Sequence, residues 1–339
     1  MKVLVTGGLG FIGSHTVCDL IENGFEVVIA DNLYNSKIDV LDRIEKITGI
    51  RPHFYQIDVQ DKVKLDELFK NEEPDAIIHF AGYKAVGESV YKPLEYYENN
   101  FDTTFALLWM MKKYPKCKNF VFSSSATIYG VPDHVPLKET DPRKEATSPY
   151  GETKVVIERI LEDIAKVNKN YNIALLRYFN PIGAHKSGLL GEDPNGIPNN
   201  LLPYINKVAV GELPYVNVFG NDYNTPDGTG VRDYIHVLDL AHGHVLALKK
   251  LEQNPGLVVY NLGTGKGTSV LEIIHDYEKA TGKTIKYVIK PRRAGDVASN
   301  YADCSKAKKE LGFTCKYNVY DACLDGYNFQ KAEEERRNK

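Results

Sequence analysis

Residues 2–14 read KVLVTGGLGFIGS, a short apolar run followed by glycines at positions 7, 8, 10 and 13. The run predicts a strand from Val3 to Thr6, and the following pattern predicts a helix from Ser14 to Asn23 that ends at Gly24. Glycines between a strand and a helix allow a tight turn and a close approach of the backbone to a pyrophosphate, and Gly13 allows the helix to pack on the sheet. The stretch therefore predicts the opening unit of a dinucleotide-binding domain.

Apolar strands and helical patterns alternate along the first half of the chain. Strands that are apolar throughout and separated by helices indicate a parallel sheet covered on both faces. We therefore expect the α/β class, with a Rossmann-type doubly wound parallel sheet and a smaller α/β lobe that binds substrate. Further strands are predicted at Phe25–Asp31, His53–Asp58, Ala76–Ala81, Asn119–Ser123 and Ile173–Arg177, and helices at Ile38–Ile47 and Lys62–Asn71.

The composition of the sequence changes after Asn180, and this change divides the chain into two predicted parts. Residues 1–180 form the dinucleotide-binding domain, rejoined by about 235–280, where helical patterns at Asp239–Leu251 and Val270–Thr281 are expected to cover its faces. Residues 181–234 and 281–330 form the second lobe, in which dense Gly, Pro and Asn predict long functional loops. The charged end, residues 331–339, predicts a solvated, frayed terminus.

Acidic and polar residues follow several predicted strands, at the carboxyl edge where ligands bind in such sheets. Asp31 ends the second strand, where a carboxylate can accept hydrogen bonds from the adenosine ribose hydroxyls. The same carboxylate would repel a 2′-phosphate, which favours NAD over NADP. Asp58 and the segment 80–84 follow later strands in the same way.

Ser125, Tyr150 and Lys154 form a candidate catalytic group. Tyr150 and Lys154 lie four residues apart on a helix predicted to begin after Pro149, so they share one face. A phenol with a pKa of ~10 is a poor base at neutral pH. An adjacent ammonium and an oxidised nicotinamide both favour the phenolate, and together they would have to lower the pKa to about 7. We predict that Tyr150 takes a proton from an alcohol, with Ser125 hydrogen-bonded to the same oxygen.

Charge, composition and residue spacing limit the partners, the compartment and the metal sites that can be expected. A net charge of −3 over 339 residues gives no long-range attraction to nucleic acid or to an anionic membrane. No apolar run approaches the ~20 residues needed to span a bilayer. Five cysteines without a C-x-x-C pair indicate a reduced, cytoplasmic protein without zinc. His242 and His244 face different ways on their predicted helix beside His236, so no metal site is expected, and His79 is interpreted as a core histidine.

Six motifs occur in order: TGGxGFIG at 6–13, SSSATIYG at 123–130, Tyr150-x-x-x-Lys154, RYFNP at 177–181, GIPNNL at 196–201 and GVRDY at 230–234. In these the chain resembles the extended short-chain dehydrogenase/reductase family, and within it the nucleotide-sugar 4-epimerase branch. The resemblance covers nearly the whole chain. It implies reversible C4 epimerisation of UDP-galactose and UDP-glucose through a 4-keto intermediate with tightly bound NAD. It also implies a homodimer, joined through a helix bundle at residues 99–115 and 150–168.

The resemblance implies a role for each matching residue. Tyr150 is the catalytic base and acid, Lys154 orients the nicotinamide ribose and lowers the pKa of Tyr150, and Ser125 supports proton transfer. NAD contacts are implied for Gly7, Gly10, Phe11, Ile12, Gly13, Asp31, Asn32, Asn35, Ser36, Asp58, Val59, Phe80, Ala81, Gly82, Lys84, Asn99, Tyr150, Lys154 and Phe179. UDP-sugar contacts are implied for Ser125, Asn180, Asn200, Leu201, Phe219, Arg232, Arg293, Asp296 and Asn300.

Alternatives differ in the sugar and in the reaction. At the position of Asn300 the resembled family carries either a bulky Tyr, which excludes N-acetylated sugars, or a small residue, which admits them. Asn is neither, so UDP-N-acetylhexosamines stay open as substrates. A 4-epimerase of UDP-pentoses or UDP-N-acetylhexosamines is the alternative function. Dehydratases and decarboxylases place acidic residues after the active-site Ser or Thr, where this chain has Ala126 and Thr127. A non-enzymatic NAD sensor would be expected to lack an intact Ser-Tyr-Lys set.

Overall fold

The structure is a computed structural model and describes residues 1–196, 198, 200–293 and 295–337. Its strands are β1 (Lys2–Thr6), β2 (Glu26–Asp31), β3 (His53–Gln56), β4 (Ala76–His79), β5 (Asn119–Ser125), β6 (Asn172–Tyr178), β7 (Asn180–Ile182), β8 (Val216–Phe219), β9 (Val231–Arg232), β10 (Tyr234–His236), β11 (Leu257–Leu262), β12 (Thr268–Ser269), β13 (Tyr287–Lys290) and β14 (Ser299–Asn300). Its helices are α1 (Phe11–Glu22), α2 (Asp39–Thr48), α3 (Lys62–Glu72), α4 (Val86–Tyr91), α5 (Pro93–Lys113), α6 (Pro149–Val167), α7 (Leu201–Ala209), α8 (Val237–Leu251), α9 (Val270–Thr281), α10 (Ser305–Leu311) and α11 (Val319–Arg337).

A seven-stranded parallel sheet forms the centre of the fold, in the order β11-β6-β5-β4-β1-β2-β3. The chain proceeds from β1 to β2 and β3 in one direction, and then from β4 to β6 in the other. The carboxyl ends of β1 and β4 therefore flank the point where the strand order reverses, which is the usual ligand site of an open α/β sheet. The predicted α/β class with a doubly wound parallel sheet is confirmed.

Two apolar clusters cover the two faces of this sheet. One contains Val17 and Leu20 of α1 together with Leu240 and Val245 of α8, so α8 returns to the sheet as the sequence predicts. The other is built from α3, α5 and α6, with Leu107 among its fully buried members. No helix among the described residues is apolar over a length that would cross a membrane.

The second lobe has its own apolar core, which contains Ile205 of α7, Val218 of β8 and Ile274 of α9. Helix α9 packs there against α11, not on the central sheet where the sequence analysis places it. The bounds of α9 match the predicted Val270–Thr281, and Ser269 and Glu272 form a capping box at its start. Amphipathic spacing reveals an apolar helix face but not which apolar surface that face covers.

The prediction of a frayed charged terminus is wrong, because α11 continues to Arg337. Glu333 is 4% exposed, and its carboxylate accepts hydrogen bonds from Arg43 of α2 and Arg336 of its own helix. The charged residues at this end find partners about 290 positions away in the chain, a pairing that local sequence does not reveal. Asn338 and Lys339 lie outside the described residues.

Replacing Glu333 with alanine tests this attachment of α11 to α2. The substitution removes the buried carboxylate shared by Arg43 and Arg336 and leaves Arg43 with the half-exposed carboxylate of Asp39, so we expect the free energy of unfolding to fall by about 2 kcal/mol. Urea unfolding followed by circular dichroism measures the change. Glu335→Ala, at an exposed position two residues further on, is the matched control and should leave stability within error. Equal stability of the two variants would show that the buried pair does not stabilise the fold.

Candidate active site

The glycine turn between β1 and α1 is closely packed. Gly7 has a φ of +69°, and a Cβ at Gly7 would lie 2.9 Å from the backbone N of Ala81. A Cβ at Gly13 would lie 2.2 Å from the carbonyl oxygen of Gly7, so the start of α1 can approach the turn only with glycine there. Helix α1 begins after Gly10, and its N-terminal N–H groups and positive dipole end suit a bound phosphate.

Asp31, at the end of β2, connects three segments around this turn. Its carboxylate accepts hydrogen bonds from the backbone N of Leu9 at 3.1 Å, from the backbone N of Leu33 at 2.9 Å and from Ser36 Oγ at 2.7 Å. Asp58, after β3, accepts in turn from Asn32 Nδ2 at 3.0 Å. These two carboxylates, both predicted to contact NAD, thus also shape the loops that would surround such a ligand.

Tyr150 and Lys154 lie on the first turns of α6, beside the carboxyl end of β5. Ser148 caps the helix by accepting a hydrogen bond from the backbone N of Gly151 at 3.2 Å, and Pro149 occupies its first turn. Lys154 Nζ donates to the carbonyl oxygen of Ser123 at 2.7 Å and lies 5.7 Å from the ring centroid of Tyr150. Ser125 ends β5 on the same side, so the three predicted catalytic residues border one space.

Burial opposes the ionised forms of both Tyr150 and Lys154. Desolvation raises the pKa of Tyr150 to about 12, although the hydroxyl of Ser125 acts in the opposite direction. Desolvation lowers the pKa of Lys154 to about 8, and the carboxylate of Glu158 raises it. The chain's own residues therefore keep the Tyr150 phenol protonated at neutral pH. The lower pKa expected from the sequence depends on a further positive charge in the cleft.

A buried ionic network beneath Lys154 was missed by the sequence analysis. Glu158 is completely buried and accepts hydrogen bonds from Ser124 Oγ at 2.5 Å and from Arg177 Nε and Nη2 at 3.1 and 2.8 Å. Because Glu158 follows Tyr150 and Lys154 at four-residue intervals, the three lie along one side of α6. That spacing was the available signal, but it did not identify Arg177 as the partner.

One cleft of about 960 Å³ extends from the glycine turn to the second lobe. Every residue that the sequence analysis assigns to catalysis, cofactor binding or substrate binding lines it, while the roles of these residues stay predictions. Within the GIPNNL motif, Ile197 and Asn199 lie outside the described residues. Lining residues that the sequence analysis did not select include Tyr34, Lys37, Tyr83, Glu192, Asp193, Tyr204 and Tyr223.

The second-lobe end of the cleft carries two arginines around one carboxylate. Arg293 Nε donates to Asp296 Oδ2 at 2.9 Å, and Arg232 Nη2 lies 3.9 Å from Asp296 Oδ1. The Arg293 guanidinium also lies 4.7 Å from the ring centroid of Phe219. Guanidinium groups in such an arrangement can bind phosphate oxygens in pairs, and an aromatic ring beside them offers a stacking surface.

Glu192 joins the two ends of the cleft. Its carboxylate accepts hydrogen bonds from Lys84 Nζ at 3.1 Å and from Asn200 Nδ2 at 2.7 Å. Lys84 belongs to the predicted cofactor group and Asn200 to the predicted substrate group. The loop that carries Glu192 therefore lies between the two predicted ligand sites.

The histidines that the sequence analysis considers as metal ligands or core residues have structural partners. His79 contacts Thr6 Oγ1 at 2.8 Å inside the sheet, which confirms its assignment to the core. His236 lies 3.3 Å from Asp325, His242 lies 3.0 Å from Asp19, and His244 is hydrogen-bonded to Tyr178. Over the described ranges, no group of three or more His, Cys, Asp or Glu side chains is arranged to hold a metal ion.

Comparisons with known proteins find similar proteins over almost the whole chain. The model of the NAD dependent epimerase/dehydratase family matches residues 3–263. The UDP-glucose 4-epimerase of Bacillus subtilis (strain 168) is 53% identical over 332 residues, which are 98% of this chain and 97% of that protein.

Two solved structures are similar in fold. The UDP-glucose-4-epimerase of Stenotrophomonas maltophila, with bound NAD and formylated UDP-arabinopyranose, has a TM-score of 0.97 at 48% identity and covers 99% of both chains. The enzyme from Bifidobacterium longum, in complex with NAD+ and UDP, has a TM-score of 0.96 at 53% identity and covers 98% of this chain and 99% of its own.

Replacing Lys154 with methionine tests the energetic cost of the buried ammonium. Because burial lowers the pKa of Lys154 from 10.5 to about 8, the charged amine destabilises the folded protein by a constant amount below pH 8. Between pH 8 and 10.5 the folded state loses this proton before the unfolded state does, and the cost disappears. The stability of Lys154→Met relative to the unsubstituted protein should therefore decline by about 3 kcal/mol from pH 7 to 10.5.

Urea unfolding of both proteins across this pH range measures the difference. Other titrating groups are common to the two proteins and cancel. A difference that stays constant with pH would contradict a depressed pKa at Lys154.

Proposed function

The chain belongs to the NAD dependent epimerase/dehydratase family, and we propose that it inverts C4 of UDP-hexoses, interconverting UDP-galactose and UDP-glucose. The observation that carries the proposal is the single cleft, in which the Ser125–Tyr150–Lys154 group and the Arg232–Arg293 pair lie along one continuous surface. A UDP-sugar held by its diphosphate at the arginines would extend its sugar toward Tyr150. The name of the similar Bacillus subtilis protein supports this reaction.

The residues around the glycine turn fit NAD. The close approach of Gly13 to Gly7 leaves the start of α1 open to a pyrophosphate, and Asp31 offers a carboxylate to ribose hydroxyls. Lys154 lines the same cleft, and its ammonium would hydrogen-bond the nicotinamide ribose. NAD, when bound, accepts a hydride from C4 and returns it, and its oxidised ring carries a positive charge.

Tyr150 moves the proton of the C4 hydroxyl in this proposal. The phenolate accepts that proton, and after the sugar has turned the phenol returns it to the same oxygen, so one residue is both base and acid. Ser125 holds the substrate oxygen beside Tyr150. Lys154 stabilises the phenolate by its positive charge, in addition to the charge that the oxidised cofactor contributes. The proton balance closes within one turnover.

The sugar must be free to turn while the nucleotide stays bound. Arg232 and Arg293 can hold the diphosphate by charge-assisted hydrogen bonds, and Phe219 can stack on the uracil ring. Asn300 lines the cleft, and its side-chain oxygen is buried without a hydrogen-bond partner in the described part of the chain. An acetamido N–H could donate to that oxygen, so UDP-N-acetylhexosamines are the second candidate substrates.

We propose further that two chains associate through α5 and α6 in the cytoplasm. Along α5 the rings of Tyr97 and Phe101 stack at 5.7 Å, Phe105 follows at 6.5 Å, and Phe105 is 39% exposed. A partly exposed aromatic stripe of this kind is suited to a partner surface. Five free cysteines support a reducing compartment.

The decisive test is incubation of the purified protein with UDP-galactose and no added cofactor. We expect a mixture that favours UDP-glucose, and acid denaturation should release NAD. Tyr150→Phe should lower the rate by a factor of about 10²–10⁴, because the phenyl ring cannot carry the proton. Surface Tyr287→Phe should retain full activity.

Each failure has a distinct meaning. Unchanged UDP-galactose together with released NAD would refute the hexose assignment, and UDP-N-acetylgalactosamine and UDP-pentoses run in parallel would then identify the sugar. Undiminished turnover by Tyr150→Phe would refute the proposed base.

Replacing Phe105 with glutamate tests the proposed dimer. A carboxylate in an apolar interface would be desolvated without a partner, so we expect the native protein to elute at twice the chain mass and the variant at the mass of one chain. Light scattering after size exclusion measures both. Tyr287→Glu, on exposed β13, should remain dimeric. A dimeric Phe105→Glu variant would place the interface elsewhere.

A further inference from the structure

Tyr223 carries a buried hydroxyl that the proposed mechanism does not use. The residue is only 7% exposed and lines the second-lobe end of the cleft. Its Oη has no hydrogen-bond partner among the residues that the structure describes. A buried hydroxyl without a partner costs free energy, so its presence on a ligand-facing surface points to an acceptor that comes with the ligand.

The ring of Tyr223 is fixed in place by its surroundings. The Arg292 guanidinium lies 4.0 Å from its ring centroid, and Arg292 Nε is itself held by Asp222 Oδ1 at 2.7 Å. The ring also packs over Gly220, where a Cβ would lie 2.6 Å from a ring carbon and where φ is +84°. The backbone N of Tyr223 donates to the carbonyl oxygen of Gly228 at 2.9 Å. These contacts hold the ring, and therefore the hydroxyl oxygen, in one position.

The charged groups around Tyr223 select an anion as the missing acceptor. Burial raises the pKa of its hydroxyl most and Asp296 raises it further, while Arg292, Arg232 and Arg293 lower it, so the phenol keeps its proton at neutral pH. Guanidinium groups are donors only and cannot accept this proton. The Asp296 oxygens are already directed at Arg293, at 2.9 and 3.4 Å. A neutral donor that lines the cleft together with Arg232 and Arg293 suits a phosphate oxygen.

We propose that Tyr223 Oη donates a hydrogen bond to a diphosphate oxygen of the UDP moiety, as a third substrate-binding donor beside Arg232 and Arg293. This assignment rests on the proposed function of the cleft. It adds a rigid neutral donor to two flexible cationic ones. Such a donor fixes the direction of the diphosphate without adding charge.

The test is calorimetric titration of the NAD-containing protein with UDP and, separately, with uridine. Tyr223→Phe keeps the ring and removes only the hydroxyl, so we expect UDP affinity to fall about tenfold and uridine affinity to stay unchanged, because uridine has no phosphate. The melting temperature should not fall, since no protein hydrogen bond is lost.

Tyr277→Phe is the matched control. The Tyr277 hydroxyl is buried in the same lobe but donates to Asn206 Oδ1 at 2.9 Å and does not line the cleft. This variant should lose stability and keep its UDP affinity, the reverse of Tyr223→Phe. Unchanged UDP affinity in Tyr223→Phe, or an equal loss for uridine, would overturn the proposal. Failure of the unsubstituted protein to bind UDP would instead refute the proposed function.

Discussion

The buried ion pair between Glu158 and Arg177 is the interaction on which the candidate active site depends. It joins α6 to β6 at the centre of the molecule, and Ser124 of β5 adds a third connection to the same carboxylate. Removing water from both charges is expensive, and the paired hydrogen bonds from Arg177, the hydroxyl of Ser124 and the guanidinium of Arg143 offset that cost. The position of α6 is therefore closely determined, because a shift or rotation of the helix would separate the buried carboxylate from its partners.

Fixing α6 in this way also fixes the catalytic chemistry. Tyr150 and Lys154 precede Glu158 by two turns and one turn on the same helix face, so the ion pair sets their height above the sheet edge. The negative charge of Glu158 helps keep Lys154 protonated in surroundings that lower its pKa. A structural ion pair and a functional ammonium are thus coupled over one turn of helix. The same arrangement keeps Tyr150 a neutral phenol until another positive charge enters the cleft.

Local sequence rules predicted the parts of the fold that depend on local interactions. The glycines at 7, 10 and 13, the end of α1 before Gly24 and the start of α6 at Pro149 all follow from turn and capping chemistry, and the structure contains each of them. Partners distant in the chain were not predictable in this way. Three features depend on how distant surfaces meet in the folded protein, which neither spacing nor composition predicts. They are the Arg43–Glu333 pair, the packing of α9 in the second lobe and the Arg177 partner of Glu158.

The loop that contains Glu192 shows how these distant pairs act together on the cleft. Asp193 pairs with Lys37 and with Arg337, the backbone N of Asn195 donates to Asn35 at 3.1 Å, and Glu192 binds Lys84 and Asn200. The loop is therefore tied at once to the glycine-turn side, to the second lobe and to α11. A ligand beneath it could leave by that route only after several of these contacts break together. In the proposed reaction, which has no net redox change, these contacts within the protein would add to direct contacts in retaining the cofactor through turnover.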